Sequence, residues 1–315
     1  MHFLRIQEGM VENAMTRSIF PQFNLLFFYN IPLKMRQVPK NKQNKLTSRQ
    51  RTTFRNTILT YYRQHPRRLP WRETDDPYRI TVSELMLQQT QVDRVLSKYG
   101  EFVEAFPNFS ALAEAPLQDV LLVWQGLGYN RRAKALKDIA ILVMTDYDGI
   151  LPSEPEELET FPGIGPATAR EIAAFAFNKP VVFIETNIRS LFIHFFFPDA
   201  ANIPDRSILP LIEATLVRDN PREWYYALMD YGSMLKRNVP NPGRKSAHYA
   251  RQSRFEGSDR QIRGAIIRLL TSEDTVPENT IIAKTGCDPD RGEKIMNTLV
   301  AEGLVQRENG LVFIP

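Results

Sequence analysis

A helical pattern runs through the chain from Ser48 to Phe197, and it is interrupted by short segments rich in glycine and proline. No run of alternating apolar and polar residues separates the helical segments, so this part of the chain is predicted to be all-α. The breaks fall at LPWRETDDPYR, GLGYN and FPGIGP. Helices are predicted at Ser48–His65, Ser83–Phe106, Pro116–Gln125, Arg131–Asp146, Pro155–Phe161, Ala167–Phe177 and Thr186–Phe197.

The pattern changes after Arg254. Three short helices are predicted, at Ser258–Leu270, Pro277–Lys284 and Asp290–Glu302. Two short strands follow in GLVQRENGLVFI, and the Asn-Gly pair between them is a hairpin turn signal. Three helices and a hairpin in so few residues indicate a winged helix-turn-helix domain. Such domains bind DNA or serve as protein-interaction modules.

The charge and cysteine content restrict the class of protein. Residues 1–66 contain 11 Lys and Arg against 2 Asp and Glu, so the basic excess lies in the N-terminal stretch. Cys287 is the single cysteine, which excludes an intramolecular disulfide and a cysteine-rich metal or iron–sulfur site. A reducing compartment fits this composition. The predicted location is the cytoplasm, in association with the nucleoid if the source is prokaryotic.

Residues 1–46 are expected to form a disordered extension. Their apolar stretch, Ser18–Leu33, is interrupted by prolines and asparagines and is too short to span a bilayer comfortably. It also lacks a convincing signal-peptide cleavage site. No membrane partner is therefore predicted, and a targeting or partner-binding arm is the alternative interpretation.

The segment LETFPGIGPATAREIAAFAF, residues 158–177, places two glycines between two predicted helices. Gly163 and Gly165 allow a tight turn, so that backbone N–H groups and a helix N-terminus can point at a phosphate. Such a contact does not depend on nucleotide sequence. A plain helix–helix connection would have the same pattern. A second glycine-rich turn begins at Gly126 and favours DNA binding, since three basic residues follow it: Arg131, Arg132 and Lys134.

Two acidic residues stand in apolar surroundings. Glu84 lies in the predicted amphipathic helix SELMLQQTQVDRVL, where partial burial would raise the pKa of its carboxyl and keep a proton available. Glu185 lies in the apolar run VVFIETNIRSLF, directly before a helix that Thr186 or Asn187 can cap. An acid in apolar surroundings costs free energy unless its carboxyl is hydrogen-bonded or takes part in the function of the protein. The alternative interpretations are a helix cap for Glu185 and a solvated first-turn acid for Glu84.

Five motifs follow one another along the chain: LPWR at 69–72, DPYRITVSELMLQQTQV at 76–92, WQGLGYNRRA at 124–133, FPGIGPATA at 161–169 and ALMDYGSML at 227–235. Together they resemble the successive signatures of adenine DNA glycosylases that act on A/G-type mismatches, which are close relatives of endonuclease III. The likeness covers about residues 50–236, and SELMLQQTQV is its most specific part.

The resemblance implies roles for the matched residues. Hydrolysis of an N-glycosidic bond needs an acid for the leaving base and a carboxylate for an oxocarbenium-like sugar. Glu84 matches the acid, and Glu185 takes the position of the catalytic aspartate. Gln89 matches a residue wedged into the base stack, and Tyr129 an aromatic that intercalates beside the opposite base. The further base-pocket and DNA-binding candidates are Arg67, Arg72, Gln88 and Asn187.

The chain also departs from that family. Glutamate replaces aspartate at position 185, and a displacement of ~1 Å in a catalytic group can cost roughly a hundredfold in rate. Ala167 stands where bifunctional lyases have a lysine, so a Schiff base and strand cleavage are not expected. Adenine-excising members have a hydroxyl at the same position, and this chain lacks it. The segment that should hold four cluster cysteines, residues 236–255, has none. Its basic residues, among them Arg244 and Lys245, are expected to bind phosphate directly.

The predicted fold is therefore all-α: a two-lobed helix-hairpin-helix DNA glycosylase fold with a C-terminal winged helix-turn-helix domain. The glycosylase domain is placed at 47–256, with a six-helix lobe at about 76–187 and a second lobe formed by 47–75 and 188–256. The winged-helix domain is placed at 257–315.

The predicted function is that of a monofunctional DNA glycosylase in base excision repair, monomeric on double-stranded DNA, with no metal and no cofactor. A monovalent cation in the hairpin stays an open alternative. The favoured substrate is adenine mispaired with guanine or 8-oxoguanine. The alternatives are thymine or uracil opposite guanine, and a non-catalytic binder of mismatched or damaged DNA.

Overall fold

The computed structural model of the protein describes residues 46–250 and 254–315. Residues 1–45 of the predicted extension lie outside the described residues. From residue 48 to residue 245 the chain is mainly helical, with short 3₁₀ turns at Pro70–Arg72 and Pro242–Lys245. The α-helices are α1 (Ser48–Gln64), α2 (Pro77–Leu87), α3 (Val92–Ala105), α4 (Phe109–Glu114), α5 (Leu117–Trp124), α6 (Arg131–Asp146), α7 (Pro155–Leu158), α8 (Pro166–Phe177), α9 (Thr186–Phe196), α10 (Asp205–Thr215) and α11 (Pro221–Asn238).

These helices form two lobes. In the first lobe α2 packs against α8, and α4 and α5 pack against α6. In the second lobe α11 packs against both α1 and α9. Phe54 of α1 lies at the centre of this lobe, with its ring centroid 5.2 Å from that of Phe195 and 6.0 Å from that of Trp224. Burying one such side chain contributes about 1.5–3 kcal/mol, which ties α1 to helices far along the chain.

The C-terminal residues form the predicted winged helix. Its elements are α12 (Asp259–Ser272), β1 (Val276–Pro277), α13 (Glu278–Thr285), α14 (Pro289–Ala301), β2 (Gln306–Glu308) and β3 (Leu311–Phe313). The β3 strand lies between β1 and β2 and is antiparallel to both, with Val312 opposite Val276 on one side and Arg307 on the other. Asn309 and Gly310 have φ values of 53° and 75°, as a two-residue hairpin turn requires. The two-residue strand β1 was not predicted.

The predicted long helix Ser83–Phe106 is wrong, because residues 88–91 separate α2 from α3. The reason is a tertiary contact. Arg132 of α6 donates hydrogen bonds to the carbonyl oxygens of Leu85, Met86 and Gln88 at 2.8, 2.7 and 2.5 Å. The last carbonyls of a helix have no partner within it, so this guanidinium caps α2. Helices α4, α10 and α11 were not predicted either.

Within the two described ranges, no helix combines the length and the apolar character that crossing a bilayer needs. The domain boundaries given above stay predictions.

Candidate active site

A cavity of about 440 Å³ lies in the cleft between the two lobes. The first lobe contributes side chains from α2 and α8, and the second contributes the segment at 67–72, the start of α9 and one side of α11. Three carboxyl-bearing residues line it: Glu84, Glu171 and Glu185. The two acids singled out in the sequence therefore meet in one cavity, together with a third that was not predicted.

Glu84 lies in the second half of α2 and is 8% exposed, so its interpretation as a solvated first-turn acid is wrong. Its carboxyl makes no hydrogen bond with a described residue. Burial raises the pKa of Glu84 to about 8, the nearby Arg72 opposes the shift, and the charge of Glu185 adds to it. At neutral pH this side chain therefore keeps a proton that it can give to a group in the cavity.

Glu185 is itself the N-cap of α9, where Thr186 or Asn187 was expected. Its Oε1 accepts from the backbone N–H groups of Asn187 and Ile188, both at 2.7 Å, and its Oε2 accepts from the Asn187 amide at 3.1 Å. A carboxylate is favoured at this end of the helix by the helix dipole. Gly232 of α11 makes the site possible, because a Cβ there would lie 2.2 Å from the Asn187 carbonyl oxygen.

Glu171 of α8 is the residue that the sequence interpretation missed. Burial and the charges of Glu84 and Glu185 raise its pKa well above the ordinary value. The available signal was its spacing from Ala167, since residues four apart lie on one face of a helix. The three carboxyl groups do not form a group that could hold a metal ion, and no such group of His, Cys, Asp or Glu occurs among residues 46–250 and 254–315.

Cationic side chains balance the acids of the cavity. Arg67 and Arg72 both donate to the buried Asp230, at 2.5 and 2.9 Å, so that one carboxylate of α11 fixes both guanidinium groups at the cavity wall. The guanidinium of Arg72 also lies 4.4 Å from the ring centroid of Tyr226. Lys236 lines the same cavity, and burial lowers its pKa although Glu185 opposes that shift.

Two tight turns meet beside the cavity. Gln89 and Tyr129 have φ values of 55° and 50°, in the left-handed region that few side chains adopt. Arg132 connects their turns, because it donates to Gln88 as described and also to the carbonyl oxygen of Gly128 at 2.9 Å. Arg132 is buried, so the expectation that it extends toward DNA is wrong. Arg131, by contrast, has a side chain that is 73% exposed.

The predicted hairpin connects α7 to α8. Gly163 has a φ of 73°, and a Cβ at this position would lie 2.8 Å from that of Ala135. Gly165 is the N-cap of α8 and has open space around it. Ala167, in the first turn of the same helix, is exposed. Gln88 links the hairpin to the cavity wall by donating to the Gly163 carbonyl oxygen at 3.1 Å.

The segment after α11 does not fit an iron–sulfur cluster of the kind that the resemblance implies. It contains no cysteine, and Cys287 lies in the winged helix. Backbone hydrogen bonds hold this segment, since Ile203 donates to Lys245 and accepts from Ala247, both at 2.9 Å. The side chains of Arg244 and Lys245 are exposed.

Comparison with known proteins identifies the family of the chain. Residues 82–209, which include all three acids, match the model of the HhH-GPD superfamily of base excision DNA repair proteins. An adenine DNA glycosylase of Mycolicibacterium smegmatis is 33% identical over 272 residues, which cover 79% of this chain and 92% of that relative. The chain belongs to the HhH-GPD superfamily.

Two further comparisons extend this result. A human adenine DNA glycosylase is 36% identical over 146 residues, covering 44% of this chain and 27% of the relative. A solved thermostable thymine-DNA glycosylase has a TM-score of 0.53 and 25% identity, covering 60% of this chain and 88% of that one. Membership of the HhH-GPD superfamily confirms the predicted helix-hairpin-helix fold and the predicted DNA N-glycosylase activity.

Proposed function

We propose that this member of the HhH-GPD superfamily hydrolyses the N-glycosidic bond of adenine mispaired with guanine or 8-oxoguanine in double-stranded DNA. The observation that carries the proposal is the pairing of acids in one cavity: Glu84 is buried and retains a proton, and Glu185 is fixed as a helix cap by hydrogen bonds from the start of α9. The names of the relatives favour adenine as the base.

The residues perform complementary steps. The neutral Glu84 carboxyl donates its proton to a ring nitrogen of the flipped base while the bond between C1′ and the base breaks, and the electron pair leaves with the base. The carboxylate of Glu185 stabilises the positive charge that develops on the sugar. Water then adds at C1′, and its proton returns to Glu84. The products are a free base and an abasic site.

The hydrogen bonds of Glu185 favour an electrostatic role over a nucleophilic one. Both of its oxygens accept hydrogen bonds from the start of α9, which lowers their tendency to form a covalent bond. The cap also fixes the carboxylate in place, so the extra methylene relative to aspartate does not leave it free to move. These contacts support a pocket adapted to glutamate over an altered activity.

Contacts to DNA are assigned to surfaces around the cavity. The hairpin at Gly163 and Gly165 binds a phosphate through backbone N–H groups. Gln89 and Tyr129 enter the duplex where the base leaves the stack. The exposed Arg244 and Lys245 bind phosphate.

The protein acts as a cytoplasmic monomer without a cofactor.

A single-turnover assay on end-labelled duplexes with A:8-oxoguanine, A:G, T:G and U:G pairs tests the proposal. We expect strand cleavage at adenine that depends on alkali treatment, because Ala167 supplies no amine for a Schiff base. Cleavage at adenine without alkali would contradict hydrolysis alone and would implicate Lys236, which lines the cavity.

Thymine opposite guanine is a second candidate substrate, and the similarity to a thermostable thymine-DNA glycosylase favours it. Cleavage at T:G and U:G with none at adenine would assign the protein to that activity.

The rate of excision is expected to fall as the pH rises through about 8, because Glu84 then loses the proton that the leaving base needs. The measurement is the single-turnover rate constant between pH 6 and pH 9.5. The affinity for the same duplex with an uncleavable 2′-fluoro target nucleotide is the control and should vary less over the range. A rate constant that stays level to pH 9.5 would contradict the role of Glu84.

A further inference from the structure

A second cavity, of about 290 Å³, lies between the first lobe and the winged helix. The first lobe contributes Gln88, Gln89 and Tyr129 to its wall, and α12 of the winged helix contributes Arg260 and Arg263. The cavity thus combines an aromatic ring, two amides, guanidinium groups and the carboxylate of Glu302, which forms an ion pair with Arg263. This is the chemistry that recognises a nucleobase edge.

The winged helix is held against the first lobe by polar contacts along α12. Nη1 of Arg260 donates to the Tyr129 hydroxyl at 3.0 Å, and its guanidinium lies 5.8 Å from the centroid of the Tyr129 ring. Further along the same helix, the Gln125 amide donates to the Thr271 hydroxyl at 2.6 Å. These contacts fix the direction in which Arg260 faces the cavity.

The two cavities share a wall. Gln88 and Gln89 line both of them, so the second cavity begins where the candidate active site ends. When a nucleotide rotates into the active site, its partner base stays in the duplex without a pairing partner. With Gln89 inserted where the base leaves the stack, as proposed above, that partner base would lie next to the second cavity.

We propose that the second cavity binds the base opposite the excised one, and that Arg260 of the winged helix selects guanine there. This inference rests on the proposed function, because it concerns the partner strand of the same substrate. Guanine presents two acceptors, O6 and N7, on its major-groove edge, and a guanidinium donates to both. Adenine places an amino donor in that position, which opposes an arginine. Tyr129 supplies a ring on which the base stacks.

The test replaces the partner base while the target adenine stays constant. Four duplexes carry guanine, 7-deazaguanine, 2-aminopurine or an abasic site opposite adenine; 7-deazaguanine lacks N7 and 2-aminopurine lacks O6. For the unmodified protein we expect affinity and excision rate to fall by about 5- to 150-fold when either acceptor is removed. For Arg260→Met we expect the guanine, 7-deazaguanine and 2-aminopurine duplexes to differ by less than about threefold, because no guanidinium is left to read O6 or N7. The abasic duplex should stay weaker than these three, because it has no base to stack on Tyr129.

Two further variants separate base reading from other effects. Arg260→Lys keeps the charge and loses the planar donor pair, so it should keep general DNA affinity and lose the guanine preference. Arg268→Met changes an exposed arginine of α12 that does not line the cavity, and it should retain the preference. If Arg260→Met weakens all four duplexes equally, the abasic one included, Arg260 contacts the DNA backbone and the proposal is overturned.

Affinities are measured in parallel on duplexes with an uncleavable 2′-fluoro target nucleotide. A guanine preference in binding with no excision from any cleavable duplex would refute the proposed function and leave the present inference standing. Excision of adenine at the same rate opposite all four partners would support the proposed function and overturn the present inference.

Discussion

Replacing Glu84 with glutamine is expected to lower the single-turnover rate of base excision by about 100- to 10,000-fold, the range that a positioned general acid supplies. Glutamine has nearly the same size and can still hydrogen-bond, but it has no proton to give to the leaving base. Affinity for an uncleavable duplex should stay nearly unchanged. This combination separates an enzyme from a non-catalytic binder of damaged DNA, in which the substitution would change neither quantity.

The same substitution should stabilise the folded protein at neutral pH. The pKa of Glu84 is raised to about 8 in the folded state, so the folded protein binds this proton more tightly than the unfolded chain. The stability of the unmodified protein therefore falls as the pH rises from the ordinary carboxyl pKa to about 8, and Glu84→Gln removes that loss. Thermal unfolding at pH 4, 7 and 8.5 should show a Tm difference in favour of the variant that is absent at pH 4.

The control for both measurements is Glu104→Gln, which changes an exposed acid of the neighbouring helix α3. It should leave the excision rate and the Tm close to their original values. An inactive Glu84→Gln with a lowered Tm would indicate a damaged fold instead of a lost proton donor.

Replacing Arg132 with methionine is expected to destabilise the protein by about 3–5 kcal/mol, because it leaves several buried carbonyl oxygens without a hydrogen-bond donor, at a cost of about 1–3 kcal/mol for a buried group left unsatisfied. The guanidinium donates to carbonyl oxygens in two separate turns, those of Gln88 and Gly128, and to the Thr90 hydroxyl at 3.0 Å. Arg132→Lys should recover only part of the loss, since an ammonium cannot reproduce the planar fork. The measurement is urea unfolding at equilibrium.

Arg131→Met provides a matched control from the adjacent position. Its side chain is 73% exposed and lies 3.8 Å from Glu302, so its removal should change the free energy of unfolding by no more than about 0.5 kcal/mol. Equal effects of the two substitutions would show that the Arg132 network does not organise the turns.

Local sequence signals predicted the elements that depend on local chemistry. The helix Arg131–Asp146 has its predicted bounds, and the Asn309–Gly310 turn lies where the wing was expected. The break between α2 and α3 could not be predicted, because the group that ends α2 is Arg132, more than forty residues further along the chain. A basic residue after a glycine turn suggested a phosphate contact, and only packing shows that it faces inward.

The candidate site also contains residues that local sequence signals predicted and one that depends on tertiary packing. Glu84 and Glu185 were accessible from the sequence, because each acid stands out in an apolar run. Glu171 had a weaker signal, its spacing from Ala167, because AREIAAF has the pattern of an ordinary amphipathic helix with a polar outer face. Its exposure to the cavity depends on how α8 is rotated against α2, and that rotation is set by tertiary packing.

The wall formed by Gln88 and Gln89 has a thermodynamic consequence. Because this pair of residues belongs to both cavities, we expect a base that binds on one side to alter the free energy of binding on the other. Linkage requires the effect to be reciprocal: the factor by which a matching partner base tightens binding of the target equals the factor by which the target tightens binding of the partner. Selectivity for a mismatch then belongs to the base pair as a unit, and neither pocket measured alone would account for it.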